Sequence, residues 1–312
     1  MDTKNKETGE LFLCATPIGN LEDMPVRAVR IMKEADLIAA EDTRNSIKLI
    51  NHFEIDTPMT SYHEYNKVDK AKVLVDKMLA GQTVALITDA GTPGISDPGE
   101  ELVRQAVQAG INVTSVPGPA ACINALIHAA GPGINVTSVP GPAACINALI
   151  ISGLPTRRFV FEAFLPSDKK ERAAVLEELS HETRTMIIYE APHRLCRTLA
   201  ELAEILGGDR QIAVCKELTK RHETVYRSDI KGAVDYYNAN EPRGEYVLVI
   251  AGLNREDIIR DKQDAWKEMP LEEHLKHYES QGIERREAIK LVAKDRGVPK
   301  REIYNMTLNF PK

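Results

Sequence analysis

Short apolar runs alternate with amphipathic helical patterns in the first part of the chain, and this alternation limits the fold more than any other feature. Apolar runs with the length of buried strands lie at 11–15, 36–40, 83–88 and 111–116. Helical spacing is found at 25–35, 67–79 and 99–108. This order predicts a mostly parallel sheet with helices on both faces, in a first α/β domain over residues 11–117.

A second α/β domain is predicted over residues 156–254, where aromatic residues enter the strands. Strand patterns lie at 159–164, 185–189, 211–216 and 244–251, with helical patterns at 170–181 and 193–206. Residues 255–312 are expected to form a charged linker and a small helical extension, because helix, Gly-Val-Pro turn and helix follow Gly282. That outline is typical of a helix-turn-helix, although alone it is a weak signal. Residues 1–10 are polar and are expected to be a disordered tail.

Charge and cysteine content limit the classes of protein that fit. The net charge is −6, yet residues 281–312 hold eight Lys or Arg and four Asp or Glu. A basic tail on an acidic body predicts a local contact with a polyanion. The five scattered cysteines lack metal-like spacing and indicate reduced thiols. With no signal peptide and no apolar run long enough for a membrane span, we expect a cytoplasmic protein.

The string GINVTSVPGPAACINALI occurs twice, at 110–127 and at 133–150. One copy completes a strand, a turn and a helix, so the offset of 23 residues between the copies is surplus. Two units are too few for a solenoid, which needs about three repeats to bury a continuous core. We interpret the repeat as a recent duplication or an error in the sequence, and we expect the interdomain linker, residues 118–155, to contain it. One copy is expected to occupy the native position, and the sequence favours neither.

Three loops rich in Gly and Pro follow predicted parallel strands: 16–20, 89–99 and the Val-Pro-Gly-Pro turn of either copy. Ligands of open α/β sheets bind at this edge, so the loops together indicate a nucleotide-like ligand. Asp89 or Asp97 is suited to accept from a ribose hydroxyl. The plainer interpretation is that Gly and Pro only turn the chain. The sequence lacks G-x-G-x-x-G after a strand, the P-loop, H-E-x-x-H, paired cysteines and G-x-S-x-G.

Charged segments also follow strands. Glu41, Asp42 and Arg44 end the second strand, and the polar, aromatic loop SYHEYN occupies 61–66. Such a loop can stack bases, or be an exposed turn. In the second domain, EAPHR at 190–194 and KELTKRHE at 216–223 follow strands. Each segment alone is as easily a solvated surface as a site.

Several long motifs occur in a characteristic order: LFLCATPIGNLEDMPVRAV, AAEDTR, LITDAGTPGISDPG, VPGPAA, FLP, YEAPHR, CKELTKRHE and GEYVLVIAG. With them the chain resembles the ribosomal small-subunit RNA (cytidine-2′-O)-methyltransferases of the tetrapyrrole methylase class. The resemblance covers residues 10–254, and the tail from 282 is similar to the family's helical extension. It implies two α/β domains of tetrapyrrole-methylase type with a small C-terminal helical extension. The doubled VPGPAA segment departs from the family pattern.

The resemblance implies a homodimer that binds S-adenosylmethionine in the cleft between the domains. The family's substrate is a cytidine in the decoding centre, whose ribose 2′-hydroxyl receives the methyl group. Carried over residue by residue, the cofactor pocket would contain Pro17, Asp89, Ala90, Gly91, Ile95, Ser96, Pro117 and Gly118 or Pro140 and Gly141, Tyr189, Ala251 and Leu253.

Methyl transfer from a sulfonium is an in-line displacement, so positioning supplies much of the catalysis and no metal is required. A base, or a cation that stabilises the developing alkoxide, would help a poor ribose nucleophile. The candidates, of which we favour the first two, are Lys216, Glu217, His193, Arg194, Glu162, Glu41, Asp42 and Arg44.

The basic tail is expected to bind RNA phosphates, unless its helices are only a solvated surface. Its candidates are Arg285, Arg286, Lys290, Lys294, Arg296, Lys300 and Arg301. Two alternatives remain open: a methyltransferase for a tetrapyrrole or another small molecule on the same scaffold, and an RNA-binding protein inactivated by the duplication.

Overall fold

Two five-stranded sheets make up the first of two units into which the chain divides, Met1–Gly252 and Leu253–Lys312. The structure, a computed structural model, describes residues 8–128 and 138–307. In those ranges no helix is long and apolar enough to cross a membrane. Glu10, which we expected in a disordered tail, begins the first strand, and the tail up to residue 7 lies outside the described residues.

The first sheet is parallel, with strand order β3-β2-β4-β1-β5. Helices cover both of its faces, so strands such as β4 are apolar throughout and fully buried. Its strands are β1 (Glu10–Cys14), β2 (Leu37–Ala40), β3 (Met59–Ser61), β4 (Val84–Ile87) and β5 (Asn112–Val116). Its helices are α1 (Val26–Glu34), α2 (Thr43–His52), α3 (Lys67–Leu79) and α4 (Gly99–Gln108). The sequence did not predict β3 or α2.

The second sheet has strand order β6-β7-β10-β8-β9, with β6 and β7 parallel and the other pairs antiparallel. Its strands are β6 (Phe159–Phe164), β7 (Thr185–Glu190), β8 (Gln211–Lys216), β9 (Thr224–Asp229) and β10 (Tyr246–Ile250). The helices α7 (Lys169–Ser180), α8 (Pro192–Leu206) and α9 (Ile230–Ala239) accompany it. Two α/β sheets with a helical extension confirm the predicted fold class.

Two more helices come from the duplicated segment, α5 (Ala121–His128) and α6 (Ala144–Ile151). Residues of α6 share one hydrophobic core with both sheets, including Leu13 of the first sheet, Leu149 of α6 and Ile187 of the second. A single core through both sheets and the helix between them fixes the two halves of this unit to each other.

The native position is divided between the two copies, so our expectation that one copy would occupy it was wrong. Strand β5 comes from the first copy and the buried helix α6 from the second. The first seven residues of α5 are identical to those of α6, yet Cys122 is exposed and Leu126 is 71% exposed. Ser115 of the first copy donates to Asn147 of the second at 2.6 Å, and Ser138 donates to Asn124 at 3.0 Å.

Flanking residues explain the division. The beginning of the first copy is tied to α4, because Ile111 donates its backbone N–H to Ala106. The end of the second copy continues into Ile151, which is fully buried, whereas the corresponding residue of the first copy is His128. Burying an isoleucine stabilises by about 1.5–3 kcal/mol. Each outer half therefore stays with its native neighbours, and the surplus falls in the middle.

The second unit contains α10 (Arg255–Glu268), α11 (Leu271–Glu279), α12 (Arg285–Asp295) and α13 (Lys300–Thr307). Its own core includes Leu275, Val292 and Ile303. His274 is fully buried and stacks on Trp266, with ring centroids 4.1 Å apart. Arg296 donates to His274 Nδ1 at 3.1 Å, so this nitrogen carries no proton and the imidazole is neutral.

Candidate functional site

The carboxyl ends of the first sheet's strands carry the loops that we expected to bind a ligand. In the observed strand order, the loop after β4 stands between the loops after β2 and β1. Thr16 and Gly91 exchange two backbone hydrogen bonds of 2.9 and 3.1 Å, which join the loops after β1 and β4. The predicted ligand-binding loops are therefore held together at the edge where such sheets bind ligands.

A first pocket of about 330 Å³ opens between these loops and the beginning of α2. Pro17, Asp89 and Ala90, all predicted, line it. Asp89 Oδ1 accepts from the Asp42 backbone N–H at 3.1 Å, and Oδ2 lies 3.4 Å from Asn45 Nδ2. The sequence did not reveal the wall that α2 contributes, because only the strand order places α2 beside β4. That wall consists of Asn45, Ser46, Lys48 and Leu49.

Asp97 organises the loop after β4. Its carboxylate accepts from the backbone N–H of Gly94 at 2.9 Å and of Gly99 at 2.7 Å. Burial raises the pKa of Asp97 to about 6. Asp89, which is exposed, is therefore better placed than Asp97 to meet a ribose. In the same loop Ile95 packs against the shared core, and the exposed Ser96 adopts a left-handed φ of 56°.

The linker turn beside this loop belongs to the first copy. A Cβ atom on Gly118 would lie 2.8 Å from both Ala15 and Pro25, so this position requires glycine. Thr92 Oγ1 donates to the Pro119 carbonyl at 2.7 Å. Pro117 and Gly118 thus lie at the strand ends with the other loops. The equivalent Gly141, which follows Pro140, has open space where a Cβ would stand.

A second pocket, of about 420 Å³, lies between the loops after β2 and β3. Asp42 caps α2 and binds Arg44 through both carboxylate oxygens, at 3.1 and 2.9 Å. These hydrogen bonds lower the pKa of Asp42 to about 2, so it stays ionised and is a weak base. Since Asp42 also donates its backbone N–H to Asp89, the two pockets are neighbours.

An exposed aromatic group lies on the second sheet. Phe161 is 45% and Phe164 57% exposed, and their rings lie 4.9 and 5.7 Å from that of Tyr189. A β-bulge at Glu162 brings both phenylalanines to the face of Tyr189, and Ala163 adopts a φ of 52°. Tyr189 also accepts from a backbone N–H of α6 at 3.1 Å. Of these residues, we had predicted Tyr189 and Glu162.

The two favoured catalytic candidates lie at the end of β8. Lys216 is half-buried and pairs with Tyr246, on the sheet face opposite Tyr189. Glu217 accepts from the Glu245 backbone N–H and from Lys220, both at 2.9 Å. These bonds lower the pKa of Glu217. Its carboxylate braces the loop, which makes it a poor general base.

A buried polar network, which the sequence did not predict, lies near the catalytic candidates Arg194 and His193. Glu190 is buried and accepts from Thr198 at 2.6 Å, while Arg172 donates to Thr198 at 2.8 Å and to Glu201 at 2.6 Å. Arg194 lies 3.6 Å from Glu190 and donates to the Leu165 carbonyl at 3.0 Å, holding the segment after β6. The remaining candidate, His193, is exposed in the first turn of α8.

The last two predicted cofactor residues fall on either side of the unit boundary. Ala251 follows β10 and donates its backbone N–H to Gln211 at 2.9 Å. Leu253 is the first residue of the second unit. In the part of the chain that the structure describes, no group of three or more His, Cys, Asp or Glu side chains is placed to hold a metal ion.

The basic residues of the second unit differ in their accessibility. Arg285 pairs with Glu279 at 3.6 Å, and Arg296 is half-buried and bonded to His274. Lys290 pairs with Glu287 on the same helix. The exposed members are Arg286, Lys290, Lys294, Lys300 and Arg301.

Comparison with known proteins gives consistent results. The family model of the tetrapyrrole (corrin/porphyrin) methylases matches residues 10–129 and 125–233, and the two matches meet at the duplication. The chain is 44% identical over 300 residues to ribosomal RNA small subunit methyltransferase I of Halalkalibacterium halodurans, covering 96% of this chain and 95% of that protein. The protein of that name in Synechocystis is 44% identical over 302 residues, covering 97% and 98%. The one in Bacillus subtilis is 43% identical over 299 residues, covering 96% and 94%.

Proposed function

Because the chain belongs to the tetrapyrrole (corrin/porphyrin) methylases, in the group named ribosomal RNA small subunit methyltransferase I, we propose that it methylates small-subunit ribosomal RNA with S-adenosylmethionine. The acceptor is the ribose 2′-hydroxyl of a cytidine in the decoding centre. The observation that carries this proposal is the first pocket, where Pro17, Asp89 and Ala90 lie together as the family resemblance implies.

The first pocket suits the methyl donor chemically. Asp89 presents a carboxylate for ribose hydroxyls, and Lys48 offers a cation for a carboxylate. Ile18, Leu21 and Leu49 give apolar surface for an adenine. When bound, S-adenosylmethionine supplies an activated, electrophilic methyl group, so the protein needs mainly to position the acceptor.

We assign the stabilisation of the developing alkoxide to Arg44. Its side chain is 89% exposed and lines the second pocket, next in sequence to Asn45 of the first pocket, and Asp42 fixes the orientation of the guanidinium. A preorganised cation lowers the barrier wherever negative charge develops. The other catalytic candidates belong to the second sheet and its loops, and in this proposal they shape that side of the site: Lys216, Glu217, His193, Arg194 and Glu162.

The exposed basic residues of α12 and α13 bind RNA phosphates in this proposal. Affinity for RNA falls as the salt concentration rises, and each phosphate contact that is lost makes the slope of log affinity against log salt concentration less steep by about 0.7–0.9. Replacing Lys294 and Lys300 by glutamine is therefore expected to flatten the salt dependence of RNA binding. The protein acts as a homodimer in the cytoplasm, where its ribosomal substrate is found.

The test is transfer of tritiated methyl groups to small ribosomal subunits that lack the modification, followed by nucleoside analysis. We expect label in 2′-O-methylcytidine. Label in a uroporphyrinogen-like substrate, with none in RNA, would replace the proposal with the small-molecule alternative. RNA binding without S-adenosylmethionine binding would identify an inactive protein. Asp89→Asn is expected to weaken cofactor binding by calorimetry, whereas Asp76→Asn, on the exposed face of α3, leaves it unchanged.

A further inference from the structure

The second pocket lies where a substrate nucleotide must be held if the first pocket holds the methyl donor. Strand β2 stands between β3 and β4, so the loop after β2 borders both pockets. Asp42 lines the second pocket and donates to Asp89 in the first at 3.1 Å. A nucleotide whose base enters the second pocket therefore has its ribose near the shared border.

His63 lines this pocket and carries a buried ring nitrogen that the described residues leave without a hydrogen-bond partner. Its backbone N–H donates to Asn66 Oδ1 at 2.8 Å, which fixes the orientation of the Asn66 amide. Asn66 Nδ2 then lies 3.4 Å from His63 Nε2, so Nε2 accepts and the neutral ring carries its proton on Nδ1. Nδ1 is buried and has no hydrogen-bond partner among the described residues. A buried donor without a partner costs about 1–3 kcal/mol and commonly marks the place of a ligand.

Glu41 contributes an acceptor from the other wall. Its Oε2 accepts from Thr88 at 2.6 Å, which orients the half-buried carboxylate and leaves Oε1 to accept from a ligand. Tyr65, at the rim, is 97% exposed and offers a flat ring for stacking. The pocket thus combines one acceptor, one donor and one aromatic face.

We propose that this pocket reads the base of the target nucleotide as cytosine, an inference that rests on the proposed function. Glu41 accepts from the exocyclic amino group, and His63 Nδ1–H, which is buried in the absence of a ligand, becomes accessible on binding and donates to an acceptor on the pyrimidine edge. Tyr65 stacks on the base. Uracil presents a carbonyl where cytosine has its amino group, so it would face the carboxylate without a hydrogen bond.

Methylation of reconstituted subunits that carry cytidine or uridine at the target tests this assignment. The wild-type protein is expected to prefer cytidine by about 5- to 150-fold in kcat/KM. Glu41→Gln keeps an oxygen for Thr88 but can turn an amide donor towards the base, so the preference for cytidine should fall at least fivefold. His63→Phe should lower kcat/KM on cytidine about tenfold. Cofactor affinity should be unchanged in both variants. Glu41→Gln should melt as the wild type does, and His63→Phe, which removes the unpaired buried donor, should not melt lower than the wild type.

His52→Phe is the matched control, because His52 is exposed near the end of α2 and does not line the pocket. An unchanged cytidine preference in Glu41→Gln, or a loss of cofactor affinity in His63→Phe, overturns the assignment. Saturation-transfer NMR with CMP and UMP, with S-adenosylhomocysteine present, separates it from the proposed function. Equal contact of both nucleotides refutes base reading even if RNA is methylated. Failure to methylate any RNA refutes the function itself.

Discussion

Deleting residues 121–143 should stabilise the first unit, because the deletion joins Ala120 directly to α6 and shortens the connection between β5 and α6 by 23 residues. Removing 128–150 instead gives the same sequence, so one variant tests both copies. For a connection that is 23 residues longer, the closure entropy (3/2)RT ln n amounts to about 2.8 kcal/mol. The Ser138–Asn124 hydrogen bond, lost with the segment, offsets about 1 kcal/mol.

We therefore expect a gain of about 2 kcal/mol and a melting temperature about 4–8 °C higher, followed by circular dichroism. The control replaces 121–143 by a Gly/Ser segment of equal length, which keeps the length of the connection and should melt close to the native chain. A deletion variant that melts lower than the native chain would refute the reasoning. A Gly/Ser variant as stable as the deletion would do so too.

Three further predictions follow from local geometry. Replacing Ala163 by glycine relieves a left-handed φ of 52° and should stabilise by about 1 kcal/mol in urea unfolding; an equal or lower midpoint contradicts this. Burial lowers the pKa of His274, so the unfolded state binds the proton more tightly than the folded one. The stability that the second unit gains from a neutral His274 is thus complete above about pH 6.5 and is lost on acidification below it. Unfolding followed by Trp266 fluorescence should show this loss, and His274→Gln should suppress it. Brief alkylation with mass spectrometry should modify the exposed Cys122 well before the buried Cys145, although both stand in the same sequence; equal rates exclude the division of the copies.

Sequence patterns predicted most of the strands and helices and missed two strands at the edges of the sheets. Helix α3 has the predicted bounds, because its apolar periodicity is set by burial against the first sheet. Strand β6 also has the predicted bounds, although it is an edge strand without a buried residue. Strands β3 and β9 were missed because they are short or half-buried edge strands without clear alternation.

The parts of the site that are formed by backbone loops could be predicted from the sequence. Gly and Pro mark the loops after β1 and β4, since those turns require them. The contributions of Asn45, Lys48 and His63 could not be predicted, because they depend on a strand order that the chain does not follow in sequence. The sequence also suggested Lys216 and Glu217, but it could not show that Lys220 and Glu245 already bind Glu217.

The divided occupancy of the native position has a consequence for how this gene product can change with time. Cys122 and Leu126 repeat positions that α6 already fills with buried residues, so substitutions there escape the selection that burial imposes on α6. The Leu126 position can become polar without loss of core packing, whereas its counterpart Leu149 is fully buried and cannot. Divergence between the copies should therefore begin in α5 of the first copy and in the part of the second copy whose sequence corresponds to β5, leaving two complementary halves that still encode one intact segment.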